Sequence, residues 1–179
     1  MMKVSYSKKV AFSGVITALC IALMFSSAII PILSYTLPAV CGLILLITSL
    51  AVGEKYAYVS YVAVSILSLF FVPDKECMLL FISFFGYYPI LKKRIEKIKI
   101  KSIMYLIKLV IFNVSFILTQ ILLIKIFGIM IFDEFDSKWV IIVLMIFINI
   151  FFIVFDKVLY LFEQMYKLKL QKTLKKLLK

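Results

Sequence analysis

The stretch FFVPDKECMLLF, residues 70 to 81, sets Asp74, Lys75 and Glu76 between two long apolar runs, directly after Pro73. Two carboxylates and an amine held there could form one wall of a binding site, where an acidic rim favours a neutral or cationic ligand. A loop tip that merely meets water would carry the same residues. Inside the later apolar runs stand Asn113, Gln120 and Asn149. An unsatisfied amide in hydrocarbon is costly, so each must find a partner in a neighbouring helix or in a ligand. Asn113 and Gln120 are seven positions apart and so share nearly one helical face. Gln120 is about eight residues from the run's outer end near Gly128, roughly 12 Å deep by the helical rise, within reach of an outward-facing pocket. Asp156 and Lys157 are adjacent and cannot face each other on a helix. An aspartate there would suit a proton relay, but no second member is visible, and placement at the membrane interface accounts for the pair.

Much other chemistry is excluded. The chain has no histidine, which removes zinc-histidine sites and Ser-His or Cys-His catalytic pairs. Cys20, Cys41 and Cys77 match no zinc or redox spacing, and the first two lie in apolar runs where cysteine behaves as a small hydrophobe. Only five glycines occur and none forms a phosphate cradle, so ATP hydrolysis by a P-loop is absent and any pumping would draw on a partner or an ion gradient. With no clustered nucleophile, base or metal set, the expectation is a protein that is not an enzyme and carries no cofactor.

The elements that must position these residues follow from composition. Hydrophobic residues make up 65% of the 179 positions, charged residues 17%, and the mean hydropathy is +1.14. That is more apolar surface than one soluble core of this size could hide, so the chain reads as an integral membrane protein. The net charge of +12 sits mainly in two places. Lys92, Lys93, Arg94, Lys97, Lys99 and Lys101 separate two apolar runs, and six lysines from Lys167 to Lys179 crowd the C-terminus. This is the pattern of residues that stay on the cytoplasmic side and meet anionic headgroups, so membrane lipid rather than nucleic acid is the expected partner of the charge.

Six runs are candidate spans: 10–30, 39–52, 56–72, 77–91, 102–132 and 138–162. A bilayer core about 30 Å thick needs about 20 apolar residues, so the second to fourth runs are short and require tilt or local thinning. The first also resembles a signal peptide, but its apolar character continues through Ile29 and Ile30, which favours a retained span. Lys108 and Lys125 lie near the ends of the fifth run, where long side chains can snorkel to the headgroups. In FFGYYPILKKR, Pro89 disfavours helix at Tyr88, which predicts a kink or stop at the inner end of the fourth run. The fold class is therefore an all-α, six-helix transmembrane bundle with cytoplasmic N- and C-termini. Residues 1–166 form the membrane domain, and 167–179 form a basic amphipathic tail along the inner surface. With this topology the outer segments hold one lysine, Lys75, against five acids, Asp74, Glu76, Asp133, Glu134 and Asp136, as the positive-inside rule requires.

On the first run Gly14, Ala18, Ala22 and Ser26 recur every four residues. Such a stripe lets another helix approach closely, either one of this protein's own or one of a partner.

Six short-to-medium spans with both ends inside, the A-x-x-x-A of "ALCIA", a Pro-bounded outer loop followed by LPAVCGLILL, and a basic loop after the fourth span resemble substrate-binding S components of energy-coupling factor transporters. The resemblance implies a subunit of the bacterial cell membrane that binds a vitamin or related micronutrient. Through Ala18 and Ala22 on its first helix, flanked by Gly14 and Ser26, it would dock onto a transmembrane coupling protein driven by two cytoplasmic ATPases. It also implies a substrate site near the outer face, capped by residues 31–37, 73–76 and 133–137. Asp74, Lys75 and Glu76 would close over the ligand, aided by Asp133, Glu134, Asp136 and Trp139, with Gln120 and Asn149 below. The alternative is a small non-transport assembly or regulatory subunit whose stripe and amides serve only helix packing.

Overall fold

In the computed structural model residues 5–30, 33–128 and 138–170 are described, and all regular structure among them is helical. The chain runs through α1 (Tyr6–Phe25, ending in a 3-10 turn, Ser26–Ala28), α2 (Thr36–Ala51), α3 (Glu54–Phe71), α4 (Lys75–Leu80), a π-helical turn (Phe81–Phe85), α5 (Tyr88–Ile95), α6 (Lys101–Phe127) and α7 (Lys138–Met165, followed by a π-helical turn, Tyr166–Leu170). Three helical segments, Tyr6–Ala28, Lys101–Phe127 and Ile142–Leu168, are long and apolar enough to cross a membrane, and Thr36–Ala51 is a shorter apolar helix. Their outward faces are hydrocarbon: Leu106, Val110, Val114, Ile117, Ile121 and Ile124 of α6 are all exposed. A face so apolar and so exposed suits lipid as its solvent.

The expected fourth run is two helices at an angle. Pro89 has no N–H to donate to the carbonyl four residues back, at Phe85, so the helix cannot pass through unbroken. Gly86 N instead bonds Phe81 O at 2.8 Å, closing the wider π turn. The chain then restarts with Pro89 in the first turn of α5, where a missing N–H does no harm. The break is thus not a stop, and it lies one turn before the basic residues, placing Lys92, Lys93 and Arg94 on a helix instead of in a loop.

Two large apolar cores and one small one result among the described residues. One large core joins α1, α2, α3 and α4 around Cys20, Met24, Cys41, Leu45, Val64 and Phe81. The other is aromatic: Phe112 of α6 stacks on Phe152 of α7 with centroids 4.6 Å apart, and Phe84 stacks on Tyr88 at 4.6 Å. α1 packs most extensively against α3, where Ala57, Ser60, Val64 and Ser68 form a buried small-residue face. Gly53, at φ 115°, starts α3 in a conformation open to glycine and allows the tight return from α2. At the far end of the chain Tyr166, 3% exposed, is buried with Ala51 and Val52 and packs near Phe12 and Tyr56.

Candidate functional site

The Pro73 end of the bundle carries the cluster first singled out. Asp74 is the N-cap of α4: its Oδ1 accepts from the amides of Glu76 at 3.0 Å and Cys77 at 3.1 Å, filling donors that a helix start leaves open. Lys75 Nζ turns back to the carbonyl of Val72 at 3.1 Å. Glu76 accepts from the hydroxyl of Tyr35, tying the segment before α2 to the head of α4. Burial pushes the Glu76 carboxyl above the usual carboxylate range, the Tyr35 hydrogen bond opposes this, and neighbouring Asp74 adds to it. The three residues therefore build a hydrogen-bonded cap in which Asp74 Oδ2 is a buried acceptor without a partner. Trp139, in the first turn of α7, is 77% exposed and points away from the core. Asp133, Glu134 and Asp136 lie outside the described residues.

Below this cap a polar seam joins the broken helix to α6. Ser83 bonds Thr119, Tyr87 Oη meets Ser115 Oγ at 2.8 Å, and Tyr61 Oη of α3 donates to the Ile82 carbonyl at 2.8 Å. The two segments run antiparallel, with partners four residues apart on each. Tyr87, which by type suits a membrane boundary, is thus turned to Ser115, and Ser83, Ser115 and Thr119 carried no expectation from the sequence, although the shared spacing of four in both segments is a readable signal. Gln120 is buried beside this seam on α6 and its Oε1 has no partner. Of the amides named from sequence, it is the one with open acceptor capacity.

Asn149 is closed off. It exchanges two hydrogen bonds with Asn113, at 2.9 and 3.2 Å, across α6 and α7, and each amide also donates to the carbonyl four residues back in its own helix. Of the two partners open to these amides, the neighbouring helix supplies the one observed. Asn113→Leu or Asn149→Leu alone is expected to cost about 1–2 kcal/mol, and the double substitution less than the sum of the two, because no amide is then left unpaired. A denaturant-unfolding cycle in detergent checks this, and strict additivity of the two losses would refute the pairing.

The other end holds a feature the sequence did not disclose. Lys108, expected to snorkel, is 2% exposed, and Lys92 is 1% exposed. Asp156 of α7 receives both, Lys92 at 2.9 Å and Lys108 at 2.9 Å, and Glu96 also touches both, at 3.4 and 3.0 Å. The four charges alternate around a closed ring and sum to zero. Tyr88 Oη donates to Asp156 Oδ1 at 2.6 Å, and Lys92 Nζ reaches the Asp156 carbonyl at 2.6 Å. Asp156 thus has its second member, and the ring clamps α5, α6 and α7 together. Both ammonium groups and both Asp156 carboxylate oxygens are engaged in these contacts, so the ring's evident role is cohesion. Among the described residues no group of Cys, Asp and Glu could hold a metal.

On α1 the buried face is Ser13, Ile16, Thr17, Cys20 and Met24. Ser60 of α3 approaches there, its hydroxyl donating to the Ser13 carbonyl at 3.4 Å. Internal packing therefore uses a stripe adjacent to the one singled out. Gly14, Ala18 and Ala22 are exposed, and a methyl added at Gly14 would meet nothing within 4 Å. Ser26 starts the 3-10 turn, its hydroxyl held by the Leu23 carbonyl at 2.6 Å. Ala18 and Ala22 floor an open apolar groove of about 450 Å³ between α1 and α3, walled by Ile21, Phe25, Leu67 and Phe71.

No protein-family model matches the chain, nor does any curated protein or solved structure.

Proposed function

We propose that the chain is the substrate-binding subunit of an energy-coupling factor importer for a vitamin or related micronutrient. It crosses the bacterial cell membrane six times, with both termini in the cytoplasm. The observation that carries this reading is the outward-facing Gly14, Ala18 and Ala22 row, with its apolar groove. Small residues kept off the protein's own packing face leave room for a helix of a transmembrane coupling protein, which two cytoplasmic ATPases would drive. Gln120 Oε1 and Asp74 Oδ2, buried acceptors without a hydrogen-bond partner, are available to a substrate entering from the Pro73 end.

The competing reading is a non-transport assembly or regulatory subunit. It is favoured by the closure of Asn149 on Asn113, which withdraws one expected ligand contact.

Affinity purification from native membranes in mild detergent separates the two. The wild type is expected to bring down an ATPase pair and a membrane coupling protein, with a small-molecule substrate identified by mass spectrometry. Ala18→Trp/Ala22→Trp is expected to lose those partners while keeping its own helical content. Absence of an ATPase pair from a well-folded wild-type sample would sink the transport reading.

A further inference from the structure

The linker from α5 to α6 alternates cation and hydrocarbon: Lys97, Ile98, Lys99, Ile100, Lys101. It is short and ordered. The amide of Lys97 bonds the Arg94 carbonyl at 3.3 Å and that of Ile98 the Ile95 carbonyl at 3.0 Å. Ile95 before it is buried, and the Glu96–Lys108 ion pair at 3.0 Å ties its start to the second turn of α6. With the Met104 amide bonded to the Ile100 carbonyl at 3.0 Å, the three lysines lie within five consecutive residues of a connection anchored at both ends.

The acids that could neutralise them are engaged elsewhere. Glu96 and Asp156 belong to the ring with Lys92 and Lys108, Glu54 pairs with Arg94 at 3.2 Å, and Glu163 pairs with Lys167 at 2.9 Å. Lys97, Lys99 and Lys101 are exposed and make no ion pair among the described residues. Beside them Ile100 is 58% exposed, and Tyr105 and Leu106 on the first turns of α6 are exposed as well. Cations alone are well served by water. Cations bordered by exposed hydrocarbon at the foot of a long apolar helix match a ligand with an anionic head and a hydrocarbon body.

We propose that Lys97, Lys99 and Lys101, with Ile100, Tyr105 and Leu106, form a binding site for an anionic phospholipid. The lysines hold its phosphate, and its acyl chains lie along the first turns of α6. The site does not depend on the transport reading, since nothing in it involves the groove or the Pro73 end.

Native mass spectrometry of the purified full chain, titrated with phosphatidylglycerol, phosphatidylcholine or inorganic phosphate, tests the site. The wild type is expected to retain phosphatidylglycerol well above phosphatidylcholine. Lys97→Gln/Lys99→Gln/Lys101→Gln should weaken that retention at least tenfold, whereas Lys55→Gln/Lys125→Gln/Lys157→Gln, with the same loss of charge, leaves it unchanged. Leu106→Gln should weaken lipid retention with all the lysines in place. The lysine variant breaks no intramolecular pair, so its unfolding midpoint in lipid-free detergent should match the wild type. Equal losses in the two triple variants, or equal retention of phosphatidylcholine, would overturn the site. Full displacement of the lipid by inorganic phosphate would overturn the lipid assignment.

Discussion

Asp156→Ala is expected to lower the unfolding free energy by about 3–5 kcal/mol, the cost of leaving buried charges without their counter-ion. Lys92 and Lys108, both nearly inaccessible to solvent, would be left to share Glu96 alone. Tyr88 would also lose the acceptor it meets at 2.6 Å. The diagnostic result is the rescue. Asp156→Ala with Lys108→Met removes one charge of each sign and leaves Lys92 and Glu96 as an i,i+4 pair, so the double variant should recover most of the loss. Denaturant unfolding in detergent, followed by far-ultraviolet circular dichroism, reads both. A double variant as unstable as the single one would mean that the ring is not what holds the three helices.

The second large effect is steric and turns on two glycines of opposite behaviour. A methyl at Gly42 would sit 2.5 Å from the Phe85 carbonyl oxygen and 3.2 Å from Pro89 Cγ. A backbone oxygen cannot rotate away, and this one lies in the π turn, so Gly42→Ala is expected to cost about 1–3 kcal/mol by overpacking. Gly14→Ala meets nothing within 4 Å and lies in a helix interior, where alanine is favoured over glycine by roughly 0.5–1 kcal/mol. It should be neutral or stabilising in the isolated protein. The same unfolding measurement on both variants decides the point, and a large loss at Gly14 would place that residue in a packed interface within the chain.

The helical runs could be read closely from the sequence because hydrocarbon length is written locally. The second and third, expected at 39–52 and 56–72, are α2 at Thr36–Ala51 and α3 at Glu54–Phe71. What the sequence hid was the direction in which residues face. A helix that is apolar nearly all round gives no contrast between a lipid face and a packed face, so Gly14, Ala18 and Ala22 could not be separated by pattern from Ser13, Thr17 and Cys20. The ring was hidden for a related reason. A lysine near a helix end can reach the headgroups or turn inward, and the choice for Lys108 is made by Asp156, 48 residues away in sequence. The asparagine pair was more legible, since an amide in hydrocarbon has to find some partner. The break at Gly86 and Tyr87 was half legible: Pro89 announced it, but not the π turn before it.

The ring also has an order in time. During synthesis Lys92, Glu96 and Lys108 leave the ribosome well before Asp156, so the partly made chain carries two lysines and one acid where the finished fold has two of each. Until α7 arrives, the inward position of Lys108 is under-compensated and the headgroup region is the better place for its ammonium. The final seating of α6 must therefore follow the emergence of α7, and Tyr166, ten residues beyond Asp156, then closes the bundle against Ala51 and Val52. A chain cut short before Asp156 would hold its membrane helices in a different arrangement from the finished protein, and to the cell's quality-control proteases that difference would mark it as incomplete.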